Sequence, residues 1–485
     1  MMRSMYSGVA GLKAHQTRMD VIGNNIANVN TAGFKSSSVT FSDVLYQTTQ
    51  SASGPNADTG SAGKNAMQIG LGSKVNGIST NVSVAGGTQT TDNPFDVMIN
   101  GDGFFIVNQG GTNYFTKAGA FKIDANGTLC TSSGATVMGW QPTADGSDIV
   151  KDSVTPLHVM AADKMYADPE ATRAATVSGN IDTQDSQTAD GGLPVSFSIF
   201  DNKGNKYNVK MVFTQTTTTG AYEVKIGDVT DEKGVSIFAM KDNATGKYVK
   251  SSVSVSLGGM KFSAPEAADA IDPETGALKK DVKMDGTAVV LAFDQATGKF
   301  TSISSGAAGA NTKNEKATLS FEGVTAGLFE KVDIDFSQMT NYSAGGTSTA
   351  AANRGDKNGK DGGLQVGEMQ SISIDGAGKI IGSYTNGTSK YLGQIALAEF
   401  SNPSGLEAIG GNLFAETKNS GEFDGIGIDP SAGDSSLTTG ALEMSNVDLS
   451  AQFTDMIVTQ RGFQANSRII TTSDSLLEEL INLKR

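Results

Sequence analysis

Leu449, Met456, Phe463, Ile470 and Leu477 stand seven residues apart near the end of the chain, and this spacing constrains its fold more than any other feature. A strict seven-residue apolar repeat keeps one stripe of a helix facing a partner, as in a coiled-coil seam. Phe453 and Ile481 fill neighbouring positions, while Gln460, Ser467 and Asp474 interrupt the second line of the seam. Ser445 followed by Asp448 predicts a capping box with Asp in place of Glu, and Lys484 with Arg485 suits the negative end of the helix dipole. The spacing therefore predicts a helix from near Asn446 to the C-terminus. The opposite end carries a looser version of the pattern, with Met2, Met5, Val9, Leu12, Met19, Ile22, Ile26 and Val29 at helical spacing. NNIANVN followed by Ala-Gly ends that helix, because Asn and Gly tolerate left-handed backbone angles.

Neither one-sided helix is expected to be stable alone. Burying a single seam recovers less free energy than ordering so long a backbone costs, and isolated helices are marginal in water. Each helix needs neighbours. The other terminus supplies one, and the remaining apolar edges and polar interruptions suit further copies of the same chain. Periodicity alone leaves an intramolecular helical hairpin open as the alternative.

Between the ends the texture changes. The chain has 485 residues, 38% of them hydrophobic, enough for several cores. Its 59 glycines, low aromatic content and many Ser and Thr predict an all-β body rich in turns. An apolar-Asp-turn-Gly pattern recurs at Ile123-Asp124 to Gly127, Phe200-Asp201 to Gly204, Phe293-Asp294 to Gly298 and Ile374-Asp375 to Gly378. Each reads as a hairpin. The clearest sets Val195, Phe197 and Ile199 against Tyr207, Val209, Met211 and Phe213, apolar on one face of both strands. The fold class expected is mainly β with α-helical termini, in nested discontinuous domains. A helical polymerisation domain takes 1–35 with 441–485, and an extended segment takes 36–75. A discontinuous β domain takes 76–160 with 364–440, and 161–363 is an inserted outer β domain of one or two subdomains.

Charge and motifs exclude several functions. A net charge of −14 lacks the concentrated basic surface that nucleic acid binding needs. No apolar run reaches the length of a membrane span, and the N-terminal residues lack a signal-peptide core, so export would use another route. One cysteine, Cys130, cannot form an internal disulfide and reads as a small apolar strand residue. His15 and His158, the two histidines, sit in no nucleophile motif. GxSxG, GxxxxGK[ST], HExxH and CxxC are all absent. Asp356 to Gly362 resembles a calcium loop, but Lys360 takes the fifth ligand position and Asp361 the turn glycine. The sequence thus nominates no catalytic, cofactor-binding or metal-ligating residue, and no enzyme activity is expected.

Ser7-Gly8-Val9-Ala10-Gly11-Leu12 and Asn24-Asn25-Ile26-Ala27-Asn28-Val29-Asn30-Thr31-Ala32-Gly33-Phe34-Lys35 closely resemble the N-terminal signature of flagellar rod and hook proteins. The resemblance continues through Gln68 to Gly72, Thr91 to Asp96, Gly101-Asp102-Gly103-Phe104-Phe105 and Tyr114 to Gly119. It returns at Ile380 to Gly387, Leu392 to Ala398, Asn446-Val447-Asp448 and Gln460 to Ala465. Lys117 stands where the family usually carries Arg. The resemblance implies a hook subunit: a hollow extracellular tube of many copies that bends while transmitting torque from rod to filament. It further implies export through the flagellar type III apparatus, and partners in the distal rod, the hook cap and the hook-filament junction proteins. The terminal helices, with Met5, Val9, Leu12, Met19, Ile22, Ile26, Leu449, Phe453, Met456, Phe463, Ile470, Leu477 and Ile481, would then be the polymerisation surface. A distal rod subunit shares the terminal signatures but is usually much shorter. A secreted carbohydrate-active β protein would not explain the two helical ends.

Overall fold

The computed structural model describes residues 2–55, 60, 62–189, 191–266, 270–279, 284–305, 314–432 and 435–483. Lys484 and Arg485, expected at the helix dipole, lie outside the described residues. The chain is mainly β, with one long helix at each end, and divides into two compact units. The first gathers Met1–Met165, Gln370–Ser383 and Ser389–Arg485; the second holds Tyr166–Met369 with Tyr384–Thr388.

In the first unit the N-terminal helix spans Met2–Ala27 and the C-terminal helix Leu449–Asn482. They run antiparallel, since Gly8 lies by Ile470 while Asn25 bonds Gln452. Asp448 caps the C-terminal helix, accepting from the amides of Ser450 (2.8 Å) and Ala451 (3.1 Å). This corrects the capping box expected from Ser445 and Asp448: Asp448 is itself the N-cap, not the third helical residue, and the helix begins three residues after Asn446. After the N-terminal helix the chain forms a ribbon, Ser37–Asp43 paired antiparallel with Ser73–Thr80. Between them Tyr46–Gln50 pairs with Met67–Gly70, and both strands are exposed along their whole length.

The flanking sheet of this unit places Ser389–Ile395, Thr136–Trp140, Phe104–Gln109, Thr112–Thr116, Leu413–Ala415 and Glu407–Gly410 side by side. Phe104, Ile106, Phe115, Trp140 and Phe414 fill its core. The rings of Phe104 and Phe115 both meet Phe400 edge-on.

The second unit contains a seven-stranded and a five-stranded sheet. The expected hairpin is present: Leu193–Phe200 pairs with Lys206–Gln215 in a register that sets Val195 opposite Met211, Phe197 opposite Val209 and Ile199 opposite Tyr207. Inward residues of both sheets, among them Phe197, Phe213, Phe262, Leu319 and Phe336, form one apolar core. Three of the four recurring turns share one local mechanism, found in both units; at the fourth, Asp294 accepts from the amides two and three residues ahead. Asp124, Asp201 and Asp375 each accept from the amides two and four residues ahead, and a glycine at φ 76–82° reverses the chain.

Candidate functional site: the paired termini

Small residues line part of the contact between the two helices, one of them against the seam residue Ile470. A Cβ on Gly8 would lie 3.3 Å from the Ile470 side chain, one on Gly11 2.7 Å from Asn466, and one on Gly462 2.7 Å from the His15 ring. Ala14, Thr459 and Ser473 are buried beside them. Thr459 directs its hydroxyl to the Asp455 carbonyl, 2.7 Å away, so the helix satisfies that buried polar group internally. Sequence periodicity missed this contact because it weights large apolar residues. The available signal was the spacing of Gly8, Gly11 and Ala14 on one helix face.

The expected seam residues flank this small-residue line. Ile22 is buried, and Met5, Leu12, Met19, Ile26, Met456, Phe463, Ile470 and Leu477 are half-buried. Val9, Leu449, Phe453 and Ile481 are exposed, Phe453 by 50% and Ile481 by 67%. A further apolar set lies open on the C-terminal helix at Ile457, Val458, Ile469, Leu476, Leu480 and Leu483. Gln460 is exposed as well.

Where both helices join the β body, the signature residues form a polar clamp. Asn25, 1% exposed, donates to the Ser37 carbonyl (2.8 Å) and to Gln452 (3.1 Å), and accepts from the Ser37 amide (3.0 Å). Asn446 does the same work at the other helix, accepting from the Ser36 amide (2.7 Å) and donating to the carbonyls of Asn81 (2.9 Å) and Val84 (3.0 Å). Asn28 donates to the Asn24 carbonyl and side chain, closing the end of the N-terminal helix. Gly33 then turns at φ 71°, and its amide donates to the Glu443 carbonyl, 2.8 Å away. A Cβ there would be 2.8 Å from the Ala118 amide, so glycine is required twice over. Phe34 is half-buried, and its carbonyl accepts from the Asn446 amide.

Beneath the clamp lies an ion pair between residues that no sequence pattern links. Lys35 Nζ meets Glu443 Oε1 at 2.7 Å, both side chains 1% exposed. Lys35 also donates to the Val84 carbonyl, and Glu443 accepts from the Gly86 amide. The other Glu443 oxygen is buried without a hydrogen-bond partner. Nearby, Lys117 donates to the Gly101 carbonyl at 2.7 Å and lies over the Phe104 ring. Burial, with Lys35 as a second cause, pushes the Lys117 ammonium from 10.5 down to about 8. Gly103 packs against Leu397 in the same corner. The signature residues Gly101, Gly103 and Phe104 thus support the clamp from the β side.

The other residues weighed for chemistry lie in local contacts of their own. Asp356 spends its carboxylate on the Asn358 and Lys360 amides. Cys130 is half-buried in a short strand, its thiol raised by burial and then by Asp124. His158 shares a hydrogen bond with Thr128 at 2.9 Å. Among the described residues no cluster could hold a metal ion, and no helix is long and apolar enough to cross a membrane.

The signature residues thus gather where the paired terminal helices join the β body. Family models match at the same places: "Flagella basal body rod protein" over residues 5–35, "Flagellar hook protein FlgE/F/G D1 domain" over 98–167 and "Flagellar basal body rod FlgEFG protein C-terminal" over 438–483. The flagellar hook protein FlgE of Treponema pallidum is 33% identical over 501 residues, covering 100% of both chains. That of Borreliella burgdorferi is 35% identical over 490 residues, again covering 100% of both. That of Salmonella typhimurium is 28% identical over 496 residues, covering 99% of this chain and 100% of the relative. The chain belongs to the flagellar hook protein family. A Helicobacter pylori hook protein crystal structure, FlgE2, aligns over 73% of this chain at 13% identity and a TM-score of 0.35.

Proposed function

We propose that the chain is a structural subunit of the flagellar hook and polymerises through its paired terminal helices. The observation that carries this reading is the apolar surface left open on the C-terminal helix. Val458, Ile469, Leu476, Leu480 and Leu483 stay between 42% and 84% exposed after the N-terminal helix has docked. A lone chain gains little by keeping such a stripe in water; identical helices around it would bury it. The full-length relatives, all named flagellar hook proteins, support the same role.

The finer parts rest on the family resemblance. The subunits would form a hollow, bending tube outside the cell, linking rod to filament. Export would run through the flagellar type III apparatus, with the distal rod, the cap and the junction proteins as neighbours. The role needs no chemistry, cofactor or metal.

Electron microscopy of the salted-out full-length chain tests the reading, against a variant lacking residues 1–35 and 445–485. Curved hollow tubes are expected from the full chain alone. Tubes from the truncated chain, or none from the full chain even with isolated hook ends as seeds, would overturn it.

A further inference from the structure

We propose that Asn358 is a site of spontaneous covalent modification, its carboxamide converting with water to aspartate and isoaspartate while Asn100, Asn126 and Asn386, each also followed by glycine, are held back. The inference concerns the β body and is independent of the terminal helices.

Asn-Gly occurs at these four positions and at Asn76, which belongs to the ribbon strand Ser73–Thr80. The pair is open to this reaction because glycine has no side chain to shield its backbone nitrogen. At Asn358 the Gly359 nitrogen gives up its proton and attacks Cγ of the carboxamide. A bond forms between that nitrogen and Cγ, the Cγ–Nδ2 bond breaks, and Nδ2 leaves with a proton as ammonia. Water then opens the cyclic imide. Attack at Cγ gives aspartate; attack at the Asn358 backbone carbonyl carbon gives isoaspartate, in which the chain runs through Cγ. The net change converts one carboxamide and one water to a carboxylate and ammonia, with nothing oxidised or reduced.

Two of the turns form a matched pair. In Asp124-Ala125-Asn126-Gly127 and Asp356-Lys357-Asn358-Gly359 the Asp side chain accepts from the Asn amide, at 3.0 and 2.8 Å. The Asp carbonyl accepts from the Gly amide, at 3.1 and 2.9 Å, and the glycines stand at φ 77° and 78°. Their surroundings differ. The Gly127 carbonyl accepts from the amides of Val159 (2.7 Å) and Met160 (2.9 Å), and a Cβ on Gly127 would fall 2.3 Å from the Met160 carbonyl. A Cβ on Gly359 would meet nothing within 4 Å, and Lys357, Asn358, Gly359 and Lys360 are all exposed. Opening the Asn358 tip therefore breaks bonds of its own turn, whereas opening the Asn126 tip also pulls Gly127 from the Val159–Met160 segment. Local opening is cheapest where few contacts are lost. Lys357 reaches Asp335 at 3.4 Å, but a partly exposed ion pair adds little hold.

The other two asparagines are restrained through their side chains. Asn386 donates to the Gln365 carbonyl (3.0 Å) and accepts from the amide (3.1 Å) and hydroxyl of Thr388. Asn100 donates to the Thr438 hydroxyl on the paired strand, 2.7 Å away. The Asn358 carboxamide has its partner in Asp356, within the same turn, so that contact opens with the tip. Conversion adds a negative charge there, and the converted fraction records how long a chain has existed.

The test keeps the full chain at mildly alkaline pH, where the attacking nitrogen forms more readily. Samples taken over time are digested with an acid-active protease, and the Asn-Gly peptides are followed by mass spectrometry, with aspartate and isoaspartate forms separated by chromatography. The Asn358 peptide is expected to convert several-fold faster than those of Asn100, Asn126 and Asn386, giving both products. Asn358→Gln should abolish the fast release of ammonia and leave the other three rates unchanged. In urea the four rates should draw together, because the turns no longer distinguish them. The proposal is overturned by an Asn358 peptide that converts no faster than the other three, by fast ammonia release that persists in Asn358→Gln, or by the same ratio of rates in urea.

Discussion

The helix pair and the inserted β unit solve the problem of burial in opposite ways. The β unit encloses its large apolar side chains: Phe213, Phe262, Phe336 and Leu319 are all 0% exposed. The helix pair encloses glycine, alanine, threonine and serine, and leaves much of its aliphatic surface in water. Its anchorage is polar instead, through Asn25, Asn446 and the Lys35–Glu443 pair. The difference teaches that one unit closes its apolar core within the single chain, whereas the other is held in place by polar contacts and keeps aliphatic surface exposed.

Six substitutions would break or sharpen that contrast. Phe336→Ala should cost about 3–5 kcal/mol in urea unfolding of the β unit, since it empties a closed core. A cost below about 1 kcal/mol would show that this core is loose. Glu443→Leu strands Lys35 as an unpaired buried charge, and about 3–5 kcal/mol of destabilisation is expected for the helix-bearing unit. Lys35→Met added to Glu443→Leu should recover most of it. No recovery would locate the effect in lost backbone contacts at Val84 and Gly86 instead.

Lys117→Met gives a pH signature. The folded chain holds this ammonium at about 8 against 10.5, so the folded state disfavours the charge. Its penalty is full below about 8, shrinks as pH rises, and is gone above 10.5. The span corresponds to about 3 kcal/mol. Relative to wild type, Lys117→Met should therefore be most favourable near neutrality and lose that advantage on alkaline titration; a flat difference would mean the amine titrates normally.

Asp448→Ala removes the cap of the C-terminal helix and should cost about 1 kcal/mol, read as lost helical circular dichroism on heating. The smallest change in stability, within about 0.5 kcal/mol, is expected from Leu480→Asp, a surface site in the lone chain. Yet this variant should form no tubes, because the charge lands in the surface proposed to meet other copies. Normal tubes from Leu480→Asp would shift the contact to another face of the pair.

The sequence by itself determined both terminal helices and the β body between them. Seven-residue spacing and the Asp-to-Gly turns are local patterns, and local hydrogen bonds enforce them. Even the register of Leu193–Phe200 on Lys206–Gln215 was legible, because a one-residue slip would turn every apolar side chain to the wrong face. Tertiary structure alone decided which residues the helices actually press together. Gly8, Gly11 and Gly462 matter through what approaches them, a property that residue type does not encode. It also decided the cap, since Asp448 acts through where the helix starts rather than through its spacing from Ser445. And it paired Lys35 with Glu443 across more than four hundred residues, far beyond any periodicity, because the segment leaving the N-terminal helix and the strand Ala441–Glu443 leading to the C-terminal one converge on one buried corner.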